Sequence, residues 1–457
     1  MSYPPTTGRA APPPAPAAPP RTAWREGVDR ARAAATTEPG RLRIIGAVLA
    51  VLVVAFGAVT AWQVTDRQSA ADAVAGRSQP LSADAARIYR SLADADTTAA
   101  SGFLAGKEEP AEVRKRYEKD ISTASQLLVR AAATTDGAAS AREEIRTINR
   151  LLPVYTGLVE SARANNRQGL PLGGAYLRYA NDTMRGGLLP AAGRLYEAET
   201  ARLGEDYGDA KAWPWAALGT GVLALGALGW AQRRNYRRTN RVFNHGLLAA
   251  TAAATVVLLW MVVGHAVARA QLNDSDEHGA ASLYVLNEAR IDALRARADE
   301  NLTLVARGAV VVENGADKGK DAYEVSYGSR MKSLAGDLRG AREAADDSAG
   351  RDPVDSAVSA VREWQKRHQA ARSADDAGDY GEALKKVIGS GDSTGRSFDT
   401  VDTLLAKAVD HEQREFQRAA DDGRGAFTAM AAGAGVLAAL GALGAVLGIG
   451  RRLSEYR

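Results

Sequence analysis

Four apolar runs punctuate the chain, at residues 42–64, 213–231, 245–268 and 426–449. Each is long enough to cross a bilayer as a helix, because about 20 residues at 1.5 Å rise cover the roughly 30 Å hydrocarbon core. The first run carries no charge after Arg43. The fourth is built of Ala, Gly and Leu, and its Gly444 and Gly448 form a GxxxG pair that favours close helix packing.

The two polar stretches between the runs, residues 65–212 and 269–425, have a helical period. Ile145, Ile148, Leu152, Tyr155, Val159 and Ala162 step by three or four residues, the spacing of a seam packed against neighbouring helices. Val354, Ala357, Val361, Trp364, His368 and Ala371 repeat that spacing. Turn signals divide each stretch into about four helices. In the first they are LAGKEEP, TTDGAAS and NNRQGLPLGG; in the second, ENGADKGKD, DDSAGRDP and SADDAGD. Ser140 with Glu143 forms a capping box. The last helix of each stretch is interrupted, at Gly186, Gly187 and Pro190 in one and between Gly389 and Gly395 in the other. Strand signals are nearly absent. The expected fold is an all-α membrane protein, with four transmembrane helices and two repeated extracytoplasmic antiparallel four-helix bundles.

The repeat has a second line of support. ARIYRSLADAD, Ala86 to Asp96, aligns with ARIDALRARAD, Ala289 to Asp299, and the same displacement carries the first apolar run onto the third. Two agreeing registers point to an internal duplication.

Charge orients the spans. Arg233, Arg234, Arg237, Arg238 and Arg241 crowd the short loop 232–244, Arg41 and Arg43 stand at the start of the first span, and Arg451 and Arg452 follow the last. Lys and Arg concentrate in cytoplasmic loops, so both termini and the central loop are expected inside a plasma membrane, with 65–212 and 269–425 outside. The tail 1–41 contains APPPAPAAPP and is expected to be disordered, with a short basic helix around Trp24 and Val28 as the alternative; 450–457 is a second cytoplasmic tail. The loop arginines are candidates for contact with a cytoplasmic partner or with lipid headgroups.

Composition narrows the chemistry. The net charge of +4 comes largely from arginines at membrane edges and suits anionic headgroups rather than nucleic acid. Without cysteine there is no disulfide, thiolate metal site or cysteine nucleophile, and five histidines without an HExxH pattern leave no metal or cofactor expected and no enzyme indicated. Inside the spans His265 is the exceptional ionisable residue, read as interfacial, so a transport pathway has little support.

Candidate ligand-binding residues lie in the outer regions. Arg87 and Arg290 occupy equivalent positions, as do Asp96 and Asp299, and either face a cleft that binds a carboxylate or ammonium group or make interhelical ion pairs. His368 stands where the first repeat has Val159, as a core histidine or a sensing one. Asp182, Thr183 and Arg185 precede a restarting helix that could present N–H groups to a partner, or simply mark a kink.

The two-span, bundle, two-span plan, with ARADENLTLVARGA at Ala296 to Ala309 and LLPAAGRLY at Leu188 to Tyr196, resembles the GlnX-type membrane proteins of actinobacteria. The resemblance implies a protein that relays the occupancy of an extracytoplasmic amino-acid-binding lipoprotein to a soluble Ser/Thr kinase of the PknG type. Each bundle is also similar in plan to chemoreceptor sensor domains, although no HAMP or kinase region follows. The expected function is therefore a non-enzymatic membrane sensor for amino-acid availability. A scaffold of the cell envelope or a transporter accessory subunit is the alternative, and the pattern leaves the oligomeric state open.

Overall fold

A computed structural model describes residues 38–134, 139–239 and 245–454. The expected disordered tail and its short basic helix lie outside the described residues. Thirteen α-helices follow in order: α1 Glu38–Ala73, α2 Gln79–Leu104, α3 Ala111–Thr134, α4 Ala139–Arg167, α5 Leu172–Thr183, α6 Leu189–Lys211, α7 Trp215–Thr239, α8 His245–Asp274, α9 Ala281–Ala306, α10 Ala322–Ala344, α11 Ser348–Asp376, α12 Tyr380–Ile388 and α13 Thr394–Ser454. Among the described residues the only bridge of β type is the isolated pair Val311–Asp321.

Three π turns join helices without breaking them, at Val74–Ser78, Met184–Leu188 and Ser275–Ala280. Each contains glycine, and in two the missing side chain sets the packing distance. A Cβ on Gly187 would lie 2.5 Å from Leu151, and one on Gly279 would lie 3.0–3.2 Å from Phe416. The interruption expected at Gly186, Gly187 and Pro190 is thus a widened turn, and Pro190 falls in the first turn of α6, where its missing N–H costs little. The matching interruption in the second half is a true break, since α12 ends at Ile388 and α13 starts at Thr394.

The chain divides into two compact units. One contains the described residues up to Ala61, Trp215–Leu259 and the chain from Gly433. Its interior is apolar, with Leu49, Val53, Phe56, Ala224, Leu228, Ala250, Ala254 and Val257 packed together. Gly221 leaves room for Phe56 and Leu258, whose atoms would stand 2.7 Å from a Cβ there. The outward faces are apolar too, with Val51, Val54, Val222, Leu223, Trp230, Val256 and Leu259 exposed. A helix apolar on every side needs lipid or protein around it. Three helical runs, Arg43–Leu104, Leu172–Arg237 and His245–Ala306, contain windows long and apolar enough to cross a membrane, which supports a membrane protein. The fourth expected span, 426–449, continues α13 as helix; most of its side chains, Gly444 and Gly448 included, lie outside the described residues, while Val436, Leu440 and Leu443 are exposed.

The basic segment differs from the expected loop. Helix α7 runs on to Thr239, so Gln232 and the arginines up to Arg238 extend a helix instead of starting a loop. Local bonds account for this: Gln232 Nε2 donates to Thr251 Oγ1 of α8 at 2.8 Å, and Arg234 stacks over Trp230. Arg233 and Arg237 are exposed, whereas the Arg238 side chain and Arg241 lie outside the described residues.

The other unit, Trp62–Pro214 with Trp260–Ala432, contains both outer regions. They do not form separate bundles with separate interiors; one continuous apolar core runs from Val64 to Ala420. Helices α2 and α9 join the halves. They run parallel, since Arg90 meets Asn287 and Thr97 meets Leu294 at the same sequence separation of 197. Close approach follows from composition, because Ala85, Ala86, Ala93, Ala95, Ala99 and Ala100 on α2 and Ala289, Ala293, Ala296 and Ala298 on α9 are all buried. The outer helices keep one buried stripe each. All six residues of the expected seam on α4 and all six on α11 are buried.

Candidate functional site

Three polar clusters sit where α2 and α9 meet their neighbours. In the first, Asp96 of α2 and Asp299 of α9 flank Arg185 of the second π turn. Arg185 pairs with Asp299 and lies 5.2 Å over the Tyr323 ring. Asp299 also accepts from Ser326 Oγ at 2.7 Å. Asp96 accepts from Asn181 Nδ2 at 2.7 Å and from Tyr155 Oη at 3.4 Å. Burial raises the Asp96 carboxyl above the usual range, and the nearby Arg185 charge only partly offsets it. The structure therefore brings Asp96, Arg185 and Asp299 together, with both carboxylates buried in the core and Arg185 reaching them from the partly exposed π turn. Nor do Asp182, Thr183 and Arg185 present free N–H groups, because the π turn continues the helix and the N–H of Met184 already donates to Ala180 and Asn181.

The second cluster surrounds His368. Its Nδ1 lies 2.8 Å from Glu300 and its Nε2 3.1 Å from Glu324, and its ring stacks on Tyr327 with centroids 3.7 Å apart. Glu300, 2 % exposed, also pairs with Arg297 and accepts from Trp364 Nε1 at 3.3 Å. Arg297 reaches on to Thr394 Oγ1 at 2.9 Å and the Val387 carbonyl at 3.0 Å, tying α9 to both sides of the break before α13. Burial opposes the imidazolium, but hydrogen bonds to Glu300 and Glu324 and their charges outweigh it, holding His368 up at about 9. Burial likewise opposes ionisation of Glu300, and Arg297 with His368 overcomes it, so that carboxyl is held low. His368 is a charged core residue with every ring nitrogen engaged.

The third cluster lines a cavity of about 110 Å³ between the halves. Arg87 and Arg90 of α2 and Arg290 of α9 all border it. Arg290 is held by Asp402 of α13 through a two-point contact at 2.6 and 3.2 Å. Arg87 is exposed and makes no ion pair among the described residues. Arg90 donates to Asn287 Oδ1 at 2.5 Å, a neutral partner. Burial, then the Arg290 and Arg87 guanidinium groups, bring Arg90 down to about 10. Of the sequence candidates, then, Arg87 and Arg290 do share a cleft, and of the two Arg290 has a carboxylate partner, Asp402, which stands behind the cavity lining.

Residues 70–208 match the family model of the actinobacterial sensor domain. This supports a sensor protein from that group. The matched segment starts in α1, takes in α2 to α5 and ends within α6, and so contains Arg87, Arg90, Asp96 and Arg185. No curated protein and no solved structure matches the chain.

Several residues of these clusters carried no mark in the sequence. Arg297 and Glu300 stand three apart on a helix, an ordinary surface pairing, and only the all-round burial of α9 makes them interior. Arg90 lies in the repeated ARIYRSLADAD motif, but its counterpart in the second copy is Ala293, so comparison of the copies passed over it. His265 packs against Trp213, ring centroids 5.0 Å apart, and is buried. Among the described residues Asp347, His411 and Glu415 bring candidate metal-ligand atoms within 4.8 Å of one another. Asp347, however, is the N-cap of α11, accepting from Gly350 N–H at 2.7 Å, and His411 Nε2 lies 3.3 Å from it and 3.4 Å from Glu415, so the start of a helix accounts for the cluster.

Proposed function

We propose that the protein is a non-enzymatic membrane sensor that relays extracytoplasmic amino-acid availability to a cytoplasmic Ser/Thr kinase. The observation that carries this reading is the continuity of helix from apolar runs into the outer regions: Arg43–Leu104 passes through the first π turn into the sensor-matched region without a break, and His245–Ala306 passes through the third into the second outer region. A displacement of 1 to 2 Å along such helices is the scale on which helix shifts signal. The equivalent placing of those two π turns, and of α4 and α11 with their buried seams, supports an internal duplication. In this reading the fourth run, 426–449, is also a span, both termini face the cytoplasm, and the outer unit engages an amino-acid-binding lipoprotein. The arginine-rich end of α7 and the residues after it then form the cytoplasmic contact for the kinase.

The test is capture of a cytoplasmic kinase from native membranes with Arg233, Arg234, Arg237, Arg238 and Arg241 all changed to Gln. Capture should fall at least tenfold while insertion, checked by protease accessibility, is kept. Undiminished capture removes the arginines from the relay.

A further inference from the structure

The arginine-lined cavity has two properties that point to a ligand. First, its charges do not close among themselves. A guanidinium offers five N–H donors, and the described residues give Arg90 a single neutral acceptor and Arg87 no carboxylate. Asp402 is engaged by Arg290, and Asp410 on the cavity wall is exposed and makes no ion pair among the described residues. Three guanidinium groups are thus gathered around one small space with one carboxylate bound to one of them. Neutral groups complete the wall: Ser82 and Thr200 hydroxyls 3.0 Å apart, and Gln413.

Second, the cavity is walled by α2, α6, α9 and α13. These are the four helices that lead, along the chain, to the four apolar runs: α2 from 42–64, α6 to 213–231, α9 from 245–268 and α13 to 426–449. A molecule held here touches every helix through which a signal could leave.

We propose that this cavity binds a small carboxylate of amino-acid size or less, held by the guanidinium groups of Arg87 and Arg90 and set against the Arg290–Asp402 pair. A planar, delocalised fork matches a carboxylate by two parallel hydrogen bonds. The cavity volume of about 110 Å³ suits a small ligand. The lowered basicity of Arg90 has the sign of a cationic site short of an anion. Asp410 gives an α-ammonium group a partner on the same wall. The inference deepens the sensor reading by naming its ligand class and site; it rests on that reading only for what occupancy signals.

The experiment is isothermal titration of the purified full chain in lipid nanodiscs with acetate, glycine, succinate and glutamate, and with inorganic phosphate for comparison. At least one carboxylate should bind saturably, more tightly than phosphate. Arg87→Gln should weaken it about ten- to a hundredfold, the worth of a charge-assisted hydrogen bond. Arg90→Gln should abolish it, and Arg146→Gln, on an exposed helix face, should leave it unchanged. Ala83→Leu, which keeps every charge but fills the cavity, should also abolish binding. Arg87 is exposed, so its variant keeps the test open if Arg90→Gln fails to fold. No saturable binding of any carboxylate, equal affinity in the Arg87 and Arg146 variants, or phosphate binding as tightly as the best carboxylate overturns the proposal. The titration contains neither kinase nor lipoprotein, so its failure and the failure of kinase capture are separate results.

Discussion

Position 159 in the first outer region and position 368 in the second occupy the same step of two repeated seams, yet one is Val and the other His. Val159 is buried in the apolar core. His368 is equally buried but sits in a network of Glu300, Glu324, Arg297 and Trp364. Around this step the first half therefore closes on apolar packing, with Asp96, whose protonated form burial favours, and with Arg163, one turn further on, paired to Glu109 and Glu160. The second closes on the buried charges of Arg297, Glu300 and His368, held by one another, by half-buried Glu324 and by Trp364, Thr394 and the Val387 carbonyl. Such networks add little net stability when complete and cost much when one member is lost. The two halves should accordingly respond differently to equivalent damage.

The largest effect is expected at Glu300. Glu300→Ala leaves Arg297 and His368 buried without their main counter-charge and should cost about 3–5 kcal/mol, read as a drop of many degrees in the unfolding midpoint of the full chain. A drop no larger than that of an exposed control such as Glu143→Ala would mean the network is hydrated. Next is Arg185, which serves both halves. Arg185→Met strands Asp299, and because the guanidinium is 28 % exposed the cost should be about 2–3 kcal/mol. Suppression of that loss by Asp299→Asn in the same chain would identify the stranded carboxylate as its source.

The pH dependence of stability should draw on both halves, since burial and the neighbouring Asp94 raise Asp120 of α3 to about 8. His368 is held at about 9, above its ordinary 6.5, so its contribution is complete below pH 6.5 and is lost as pH rises through 9. Burial raises Glu288 to about 7, with Asp292 and Asp337 adding to it, and raises Glu412 to about 7. Both favour the folded state at low pH and give up that contribution as pH rises through neutrality. The unfolding midpoint should thus fall from pH 6 to 9, and His368→Gln should flatten the upper part of that fall. A profile with the same slope in wild type and variant would place the titration elsewhere. The smallest effect is expected at Asp96→Asn, within about 1 kcal/mol, because the Asn oxygen still accepts from Tyr155, its NH2 can donate to Asn181 once that amide turns its oxygen inward, and a charge that burial already disfavours is removed.

Much of the fold was legible because it is periodic. The α4 and α11 seams were read residue for residue, since a helix with one buried face writes that face into its spacing. The pairing of α2 with α9 was not legible for the converse reason. A helix buried on all sides has no stripe, and the small residues that let two helices meet look like helix formers of no particular face. The sites followed the same division. Arg87 and Arg290 stood out through the repeat and do share a cavity, whereas Arg90 and Glu300 became visible only once α2 and α9 were known to be interior. The extension of α7 to Thr239 was also missed, because a run of arginines marks a membrane edge without saying whether the backbone there stays helical.

The central claim is that the two outer regions form one body joined through parallel α2 and α9. Ser101 Oγ and Asn301 Nδ2 lie 2.8 Å apart across that junction, and the chain contains no cysteine. Ser101→Cys with Asn301→Cys, oxidised in native membranes, should therefore give an intramolecular disulfide in most chains, seen as the loss of two hydrogens in the intact mass with no dimer on a non-reducing gel. Two free thiols after oxidation, or cross-linking only between chains, would contradict it.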